Sequence, residues 1–406
     1  MKANGLRILF VCANFPYPTV DHSGGTDYFQ YIASLREKHE VSLISYVRPH
    51  EEKHVSSMKE LCVDLEVVSD TRSILRRSLD HPFLRVAQPK RYCYLHSSKY
   101  QKGLRAMLAR REFDIAHVEG PWMGQYMDML AGIKIVLDEV DVHSLVAYRQ
   151  YLNSKNWSQR IYNLYEWAKT HSYELQACRQ ADLVFTRSDK DKKFLESWLP
   201  GPRVEVLPPW FEGLEQLSHI SETPAERSSL LFLGAMNRIR NTEAVLYFYH
   251  EIFPLIRREM AGAKFYVVGS SPNEKVRRLA KDKDVIVTGY VEDIGHYYEK
   301  CAVFVAPILV GGGIIVKVLN ALAAGRPAVT TFFGNEGIQA TPEQEIRIAD
   351  SPEEFAQKTT ELLMDDGLWR RIAKHGRDFV QRQYNWQETM QGLQRAYDSL
   401  VYSSSR

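Results

Sequence analysis

The sequence predicts an α/β protein with two doubly wound domains, each a parallel sheet covered by helices on both faces. Two series of short apolar runs alternate with helical patterns along the 406 residues. Pro208-Pro209 and a polar stretch with little periodicity separate the two series. We therefore expect domains at 1–208 and 229–385, joined by a linker at 209–228.

The first series contains apolar runs that end in turn residues, which is the pattern of buried parallel strands. The predicted strands are Arg7–Val11, Glu40–Tyr46, Asp114–Val118, Ile133–Asp138, Leu183–Thr186 and Val204–Leu207. Between the first two strands, apolar residues recur at helical spacing, which predicts a helix over about Asp27–Lys38.

The second series repeats this alternation after the polar stretch. The predicted strands are Leu230–Leu233, Lys264–Val268, Val285–Thr288, Val303–Ala306 and Ala328–Thr331. Helices are predicted at Glu243–Arg258 and Ile315–Ala324, and a last helix at Trp386–Val401 has no strand after it. That last helix closes one of the domains, and packing back on the first domain is one option.

Bulk composition narrows the classes of function. Hydrophobic residues make up 45% and charged residues 25%, which is ordinary for a globular protein. Lys and Arg number 52 against 50 for Asp and Glu, and the net charge of +2 argues against a nucleic-acid binder.

The cysteines and the N-terminus bear on the compartment. The chain has five scattered cysteines without metal-ligand spacing, which is typical of free thiols in a reducing compartment. The apolar run Ile8–Val11 is too short for a signal peptide, and no stretch approaches about 18 apolar residues. We expect a cytoplasmic protein, with peripheral contact with the inner face of the membrane left open.

A glycine run is the best candidate for an anion site. Gly311, Gly312 and Gly313 follow the Val303–Ala306 strand and precede a helix that carries Lys317 in its first turn. Free backbone N–H groups and the positive end of a helix at the carboxyl edge of a parallel sheet favour phosphate. The alternative is a tight turn with a surface lysine.

The surrounding residues form a longer motif. It comprises Pro307, Gly311, Gly313, Lys317, Leu319-Asn320-Ala321-Leu322-Ala323, Gly325, Pro327 and Gly334-Asn335-Glu336-Gly337. This motif resembles the donor motif of the retaining GT-B glycosyltransferases of family four (glycosyl transferases group 1). Phe232–Met236, Thr288–Asp293, Ala181–Ser188 and Gly24-Gly25 resemble further segments of that family. The resemblance covers nearly the whole chain and is most specific over residues 285–338.

The resemblance implies a GT-B fold, in which two Rossmann-like domains face a central cleft. It implies transfer of a sugar, of hexosyltransferase type, from a nucleoside diphosphate sugar to a hydroxyl acceptor, with retention and without a bound metal or other cofactor. The acceptor would be a glycan, a lipid-linked sugar or a small molecule, in bacterial-type glycan or glycoconjugate synthesis. The donor residues that the resemblance implies are Gly24, Gly25, Gly234, Arg238, Arg240, Val291, Gly312, Gly313, Ile314, Lys317, Asn320 and Glu336.

Several positions depart from the family pattern. Two glutamates that usually flank the glycine run fall on Gly312 and Asn320, and asparagine can bond ribose hydroxyls but brings no charge. The Arg/Lys pair that many members use on the pyrophosphate falls on Ala235 and Asn241. Because of these departures, the alternative is a degenerate GT-B protein that acts as a nucleotide-binding or scaffolding subunit of a glycosylation complex.

Arg238 and Arg240 lie close to the two replaced basic positions and are the substitutes we expect. A basic residue common two positions before the family's lysine is replaced by Ile315. A GT-B-shaped epimerase or phosphorylase is a third option without a distinctive signature in this sequence.

Strand ends of the first domain supply the acceptor-side candidates. Glu119 shares a strand face with His117 and is a candidate acceptor ligand or general base, whereas His117 fits the core better. Carboxylates crowd at 138–141, where one pKa is expected to rise. Asp141 or His143 would line the acceptor site, the alternative being a solvated loop. The catalytic candidates are therefore Glu119, Asp141, His143 and Lys317.

The glycine pair Gly24-Gly25 follows the first strand and precedes a helix. By resemblance its backbone reaches toward the donor phosphate or the acceptor. The alternative is a plain turn in which Thr26 or Asp27 caps the helix.

Positive charge is concentrated in residues 72–111, which contain eleven Lys or Arg and one acid, Asp80. Aromatic residues are interleaved with these charges. The pattern favours an anionic membrane surface or a phosphate-bearing acceptor over nucleic acid, and a solvated basic face is the alternative.

Overall fold

The computed structural model describes residues 5–18, 23–69, 88–154, 156–201, 203–221, 223–309 and 314–402. The chain forms two compact units. The first takes the chain up to Trp210 and resumes at Trp386, and the second is Phe211–Asn385. Each unit has a parallel sheet with helices, so the predicted α/β class with two parallel sheets is confirmed.

Within the described residues, the sheet of the first unit has seven strands in the order β3-β2-β1-β4-β5-β6-β7. The strands are β1 Arg7–Cys12, β2 Glu40–Val47, β3 Asp64–Ser69, β4 Ile115–Glu119, β5 Lys134–Glu139, β6 Leu183–Thr186 and β7 Arg203–Val206. The α-helices are α1 Ser23–Leu35, α2 Val55–Leu61, α3 Lys90–Leu95, α4 Ser98–Arg110, α5 Gly120–Met123, α6 His143–Leu152, α7 Trp157–Gln180 and α8 Asp189–Glu196. The strand order reverses between β1 and β4, and parallel sheets bind ligands at such switch points.

The described part of the second unit has a six-stranded sheet in the order β10-β9-β8-β11-β12-β13. The strands are β8 Glu226–Leu233, β9 Lys264–Val268, β10 Val285–Gly289, β11 Cys301–Ala306, β12 Ala328–Thr330 and β13 Arg347–Ile348. The α-helices are α9 Glu212–Leu217, α10 Ile239–Tyr247, α11 Phe253–Glu259, α12 Glu274–Leu279, α13 Gly295–Lys300, α14 Val316–Ala323, α15 Phe332–Asn335, α16 Pro352–Met364 and α17 Asp366–Gln383. Here the strand order reverses between β8 and β11.

The structure adds elements that the apolar pattern did not predict. Strand β3 carries Asp64 and Glu66 among its apolar residues and is only half-buried at the sheet edge, so no continuous apolar run marks it. Strand β13 has two residues. The segment expected as a linker contains α9, and Leu217 and Ile220 are buried in the second unit. The sequence did not predict this helix, because so short a helix shows no apolar periodicity.

The terminal helix α18, Trp386–Tyr402, belongs to the first unit. The Tyr397 hydroxyl and the His117 Nδ1 atom are 2.6 Å apart, and Trp386 stacks on Tyr31 with ring centroids 5.5 Å apart. His117 is therefore a buried core residue, as its place in the strand led us to expect.

A buried ion cluster ties the elements of the first unit together. Arg187 follows β6, and its Nη2 atom lies 2.9 Å from Asp138 Oδ2 and 3.2 Å from Asp27 Oδ2. Its Nη1 atom donates to the Leu207 carbonyl at 3.1 Å. Asp27 in turn accepts a hydrogen bond from the Trp210 N–H at 2.9 Å. One guanidinium thus connects α1, β5 and the segment that follows β7.

The two aspartates of this cluster differ in charge. Burial raises the pKa of Asp27 to about 7, in spite of the nearby Arg187 charge. Burial acts the same way on Asp138, but Arg187 and His117 outweigh it and lower the pKa of Asp138. The negative charge that balances Arg187 therefore resides mainly on Asp138.

We expect Arg187→Met to lower the free energy of unfolding of the first unit by about 3–5 kcal/mol, because it leaves Asp138 buried without its cation. Urea denaturation measures the change. The control is Arg203→Gln, which removes a half-exposed partner of Glu205 and should cost no more than about 1 kcal/mol. Equal losses in the two variants would contradict the central role of Arg187.

Candidate functional site

Lys317 lies at the carboxyl edge of the second sheet, where the strand order reverses. It belongs to the first turn of α14, which follows β11, and its partners follow the neighbouring strand β8. The Lys317 Nζ atom donates to Asn241 Oδ1 at 2.6 Å and lies 4.4 Å from the centroid of the Phe232 ring. Residues 310–313 lie outside the described residues, so the predicted roles of Gly311, Gly312 and Gly313 stay predictions.

Asn241 and Gly234 set the position of the ammonium group. The Asn241 Nδ2 atom donates to the Ala235 carbonyl at 2.8 Å, which turns Oδ1 toward the lysine. A Cβ atom at Gly234 would lie 2.5 Å from Lys317 Nζ and 2.7 Å from Asn241 Nδ2. Only glycine at this strand end leaves room for the lysine to reach the asparagine.

Positive charge at this site has no acidic counterpart in the described part of the chain. Burial, and next the charge of Arg238, lowers the pKa of Lys317 to about 7. Helices α10 and α14 both begin here without a side-chain cap. Their N-terminal N–H groups add partial positive charge, so the arrangement is suited to an anion.

The other predicted donor residues of the second unit occupy varied environments. Arg238 immediately precedes α10 and is exposed, and Arg240 is exposed in the first turn of that helix. Val291 and Ile314 are partly buried and pack against the apolar core beneath this edge. Glu336 follows α15 and is half-buried.

Asn320 faces the interior of the second unit. The buried Tyr298 hydroxyl forms a hydrogen bond with the Asn320 side chain, whose Oδ1 atom leaves no space for a Cβ at Gly213. Gly213 belongs to α9, the helix that the sequence did not reveal. The neutral amide at this position therefore joins α14 to α9, and its expected contact with a ribose stays a prediction.

Glu119 holds the loop that follows β1. Its Oε2 atom accepts the Ala13 and Asn14 N–H groups at 2.7 and 3.0 Å, and its Oε1 atom accepts the Asn14 Nδ2 at 2.6 Å. Burial raises the pKa of Glu119. Because both oxygens are engaged, this geometry favours a positioning role over that of a general base.

A pair of buried glutamates lies beneath the predicted acceptor residues. Glu174 of α7 accepts the His143 N–H at 2.7 Å and the Ser144 N–H at 3.2 Å, so it holds the start of α6. Burial, and next the charge of Glu174, raises the pKa of Glu139 well above its usual value. Sequence reasoning missed Glu174, because it lies within a long helix without any motif.

The remaining acceptor candidates lie around this pair. Asp141 is exposed, and His143 is half-buried with its ring centroid 5.0 Å from that of Trp122. The pKa expected to rise among the carboxylates at 138–141 is that of Glu139. Whether Asp141 or His143 contacts an acceptor stays a prediction.

The glycine pair lies inside α1, which begins earlier than predicted. Gly24 and Gly25 occupy its first turn, and Gly25 is buried. Asp27 was considered as a cap for this helix, but its side chain binds Arg187 and the Trp210 N–H instead.

Much of the basic segment 72–111 lies outside the described residues, including Arg72, Arg76, Arg77 and Arg85 and the side chains of Lys90 and Arg91. On α4, Lys99, Lys102 and Arg105 are exposed. Arg110 pairs with Asp64 at 2.7 Å and Arg111 with Glu40 at 3.7 Å, so acids elsewhere balance part of the charge. Among the described residues, no group of three or more His, Cys, Asp and Glu side chains has a metal-binding arrangement.

Comparisons with known proteins agree with this picture of the second unit. Residues 227–365 match the family model described as Glycosyl transferases group 1. A Klebsiella pneumoniae protein, "Uncharacterized 44.6 kDa protein in cps region", is 21% identical over 93% of this chain and 96% of its own length.

Solved structures share the fold. Sucrose-phosphate synthase from Thermosynechococcus elongatus has a TM-score of 0.71 and 17% identity, covering 98% of this chain and 100% of that chain. Anabaena HepE in complex with UDP has a TM-score of 0.66 and 13% identity, covering 97% and 100%. The fold is that of GT-B glycosyltransferases.

We expect Glu119→Ala to lower the free energy of unfolding by about 1–3 kcal/mol, because the N–H groups of Ala13 and Asn14 lose their acceptor. Glu119→Gln keeps one acceptor oxygen and should retain most of the stability. Glu112→Ala is the exposed control and should change stability by no more than about 1 kcal/mol. Wild-type stability of Glu119→Ala in urea denaturation would show that Glu119 does not hold this loop.

Proposed function

We propose that the chain is a glycosyltransferase that moves a sugar, of hexose type, from a nucleoside diphosphate sugar to a hydroxyl acceptor in glycan or glycoconjugate synthesis. The observation that carries the proposal is Lys317, a lysine without an acidic partner among the described residues, at the start of α14. The glycosyl transferases group 1 match covers this segment and its β8 partners. The likeness to HepE, a protein crystallised with UDP and with UDP-glucose, supports a nucleotide sugar as donor.

The chemistry of sugar transfer fits this charge arrangement. When the glycosidic bond to the nucleotide breaks, negative charge develops on the departing diphosphate. Lys317, Arg238 and the first N–H groups of α10 and α14 would stabilise that charge. Retention of configuration, assisted by the donor's own phosphate, is part of the proposal through the family resemblance.

The first unit would bind the acceptor. Glu119 fixes the loop after β1, and Glu174 fixes the start of α6, so two rigid loops lie at the carboxyl edge of its sheet. Asp141 and His143 are the side chains that we assign to acceptor hydroxyls. The acceptor's identity as a glycan, a lipid-linked sugar or a small molecule is left to a substrate panel.

A proton-uptake measurement tests the donor site directly. The pKa of Lys317 is about 7 in the free protein, and a bound diphosphate should raise it toward its ordinary value. At pH 8 the free lysine is mostly neutral and the bound one is charged, so binding takes up about one proton per nucleotide. Calorimetry with UDP, GDP and ADP in two buffers of different ionisation enthalpy measures this uptake. Affinity should weaken as the pH rises from 7 to 9.

Lys317→Met should abolish the proton uptake and weaken nucleotide binding by roughly tenfold to a hundredfold, because a charge-assisted contact is lost. Gly234→Ala should weaken binding as well, since its Cβ displaces the ammonium group. Lys99→Met, on an exposed turn of α4, is the matched control and should bind normally. Unchanged affinity and uptake in Lys317→Met would rule out this lysine as the donor contact.

The alternative is a GT-B protein that binds nucleotide or scaffolds a complex without turnover, and the engaged, uncharged Asn320 favours it over other classes. Hydrolysis of UDP-, GDP- and ADP-sugars separates the two. Binding without any hydrolysis or transfer, by a folded protein, would support the scaffolding function instead.

A further inference from the structure

Helices α6 and α7 of the first unit form a hairpin whose outer part is apolar and exposed. The second half of α7 is anchored, since Thr170, Glu174, Leu175, Ala177 and Cys178 are buried. We call residues 148–154 and 156–165 the hairpin tip. Its exposed apolar side chains are Tyr148, Leu152, Trp157, Ile161, Tyr162, Leu164 and Tyr165.

The exposure at the tip is large for side chains of this kind. Trp157 is 77% exposed, Ile161 59% and Leu152 50%. These residues lie on consecutive turns on both sides of the connection between the helices. Seven exposed apolar side chains within a segment this short are typical of an interaction site, whereas single exposed apolar residues are not.

The charges of the hairpin tip are of one sign. Residues 143–165 contain Arg149, Lys155 and Arg160 and no Asp or Glu, and Glu166 is the first acid that follows. Glu166 forms an ion pair with Lys169, with 2.7 Å between Glu166 Oε1 and Lys169 Nζ. The Arg160 guanidinium lies over the Tyr151 ring, 5.1 Å from its centroid, so a basic group and an aromatic ring of the hairpin tip lie side by side.

This combination selects one class of partner. Aliphatic side chains beside Trp and Tyr suit the boundary between lipid headgroups and acyl chains, and the basic residues suit anionic headgroups. A glycan would need carboxylate or amide partners for its hydroxyls, but the tip has no carboxylate, and two of its amides are engaged within the chain. Asn156 accepts the Gln159 N–H at 2.9 Å, and Asn163 donates to the Gln150 carbonyl and to Ser154. Self-association through a twofold interface would bring the same basic patch against itself.

We propose that the hairpin tip docks the first unit onto an anionic lipid bilayer by inserting Leu152, Trp157 and Ile161 at the headgroup level. Within the described residues, no helix is both long enough and apolar enough to span a bilayer, so this contact is interfacial. The proposal concerns the first unit, whereas Lys317 belongs to the second, and it does not depend on the donor assignment.

Vesicle flotation tests the proposal with the full chain. The probes are vesicles of phosphatidylcholine alone and of phosphatidylcholine with phosphatidylglycerol. Wild-type protein should float with the anionic vesicles, and Trp157→Ser/Ile161→Ser should reduce the partition coefficient on the order of tenfold or more. Met364→Ser, which removes another exposed apolar side chain at the end of α16, is the matched control and should float like wild type.

Two variants that remove a positive charge separate the electrostatic attraction to the vesicles from the apolar one. Arg149→Gln and Arg160→Gln should each weaken binding to the anionic vesicles by about fivefold and leave binding to neutral vesicles unchanged. Brominated lipids should quench part of the tryptophan fluorescence of the wild-type protein. In Trp157→Phe the quenched part of the signal should be absent. Quenching gives a measure of insertion even where the double serine variant fails to fold.

Three results would overturn the proposal. The first is wild-type protein that does not float with anionic vesicles. The second is equal flotation of the tip variants and wild type. The third is light scattering that shows a wild-type dimer and a monomeric tip variant, without flotation of either, which would assign the tip to self-association. UDP calorimetry on the tip variants reports on the donor site separately and should match wild type.

Discussion

The buried guanidinium of Arg187 is the interaction on which the first unit depends. It is shared by Asp27 of α1 and Asp138 of β5, and it also binds the carbonyl of Leu207. Burial raises the pKa of Asp27 to about 7, whereas Arg187 and His117 hold Asp138 in its charged form. The start of α1, where the glycine pair lies, is thereby fixed to the end of the sheet.

Arg187 of the first unit and Lys317 of the second are cations with opposite surroundings. In the first unit Arg187 is enclosed by acids, and Glu119 and Glu174 are enclosed by N–H groups, so these charges stabilise loops. In the second unit Lys317 is held by a neutral amide and a ring, and burial, with the charge of Arg238, lowers its pKa to about 7. Burial of a cation without an acidic partner costs free energy that a bound anion can offset, and groups with strongly shifted pKa values are concentrated at functional sites.

Both sites lie where the strand order reverses. The loop held by Glu119 follows β1 beside β4, and the Lys317 group follows β8 and β11. At these points adjacent loops leave the sheet in opposite directions, which opens space at the carboxyl ends of the strands. The hairpin tip is a different kind of feature, because its apolar side chains are exposed and the contact that we propose for it is with a lipid surface.

The sequence by itself determined the α/β class, most of the strands and the motif around Lys317, because buried parallel strands and glycine turns are local patterns. The edge strand β3 and the helix α9 were missed, since neither has a continuous apolar period. Only the tertiary structure decided that Glu119 holds a loop, that Asn320 faces Tyr298 and that Lys317 meets Asn241, 76 residues away. These contacts join segments that are distant along the chain. They form only when folding buries the side chains together and removes water from between them, so no local sequence pattern predicts them.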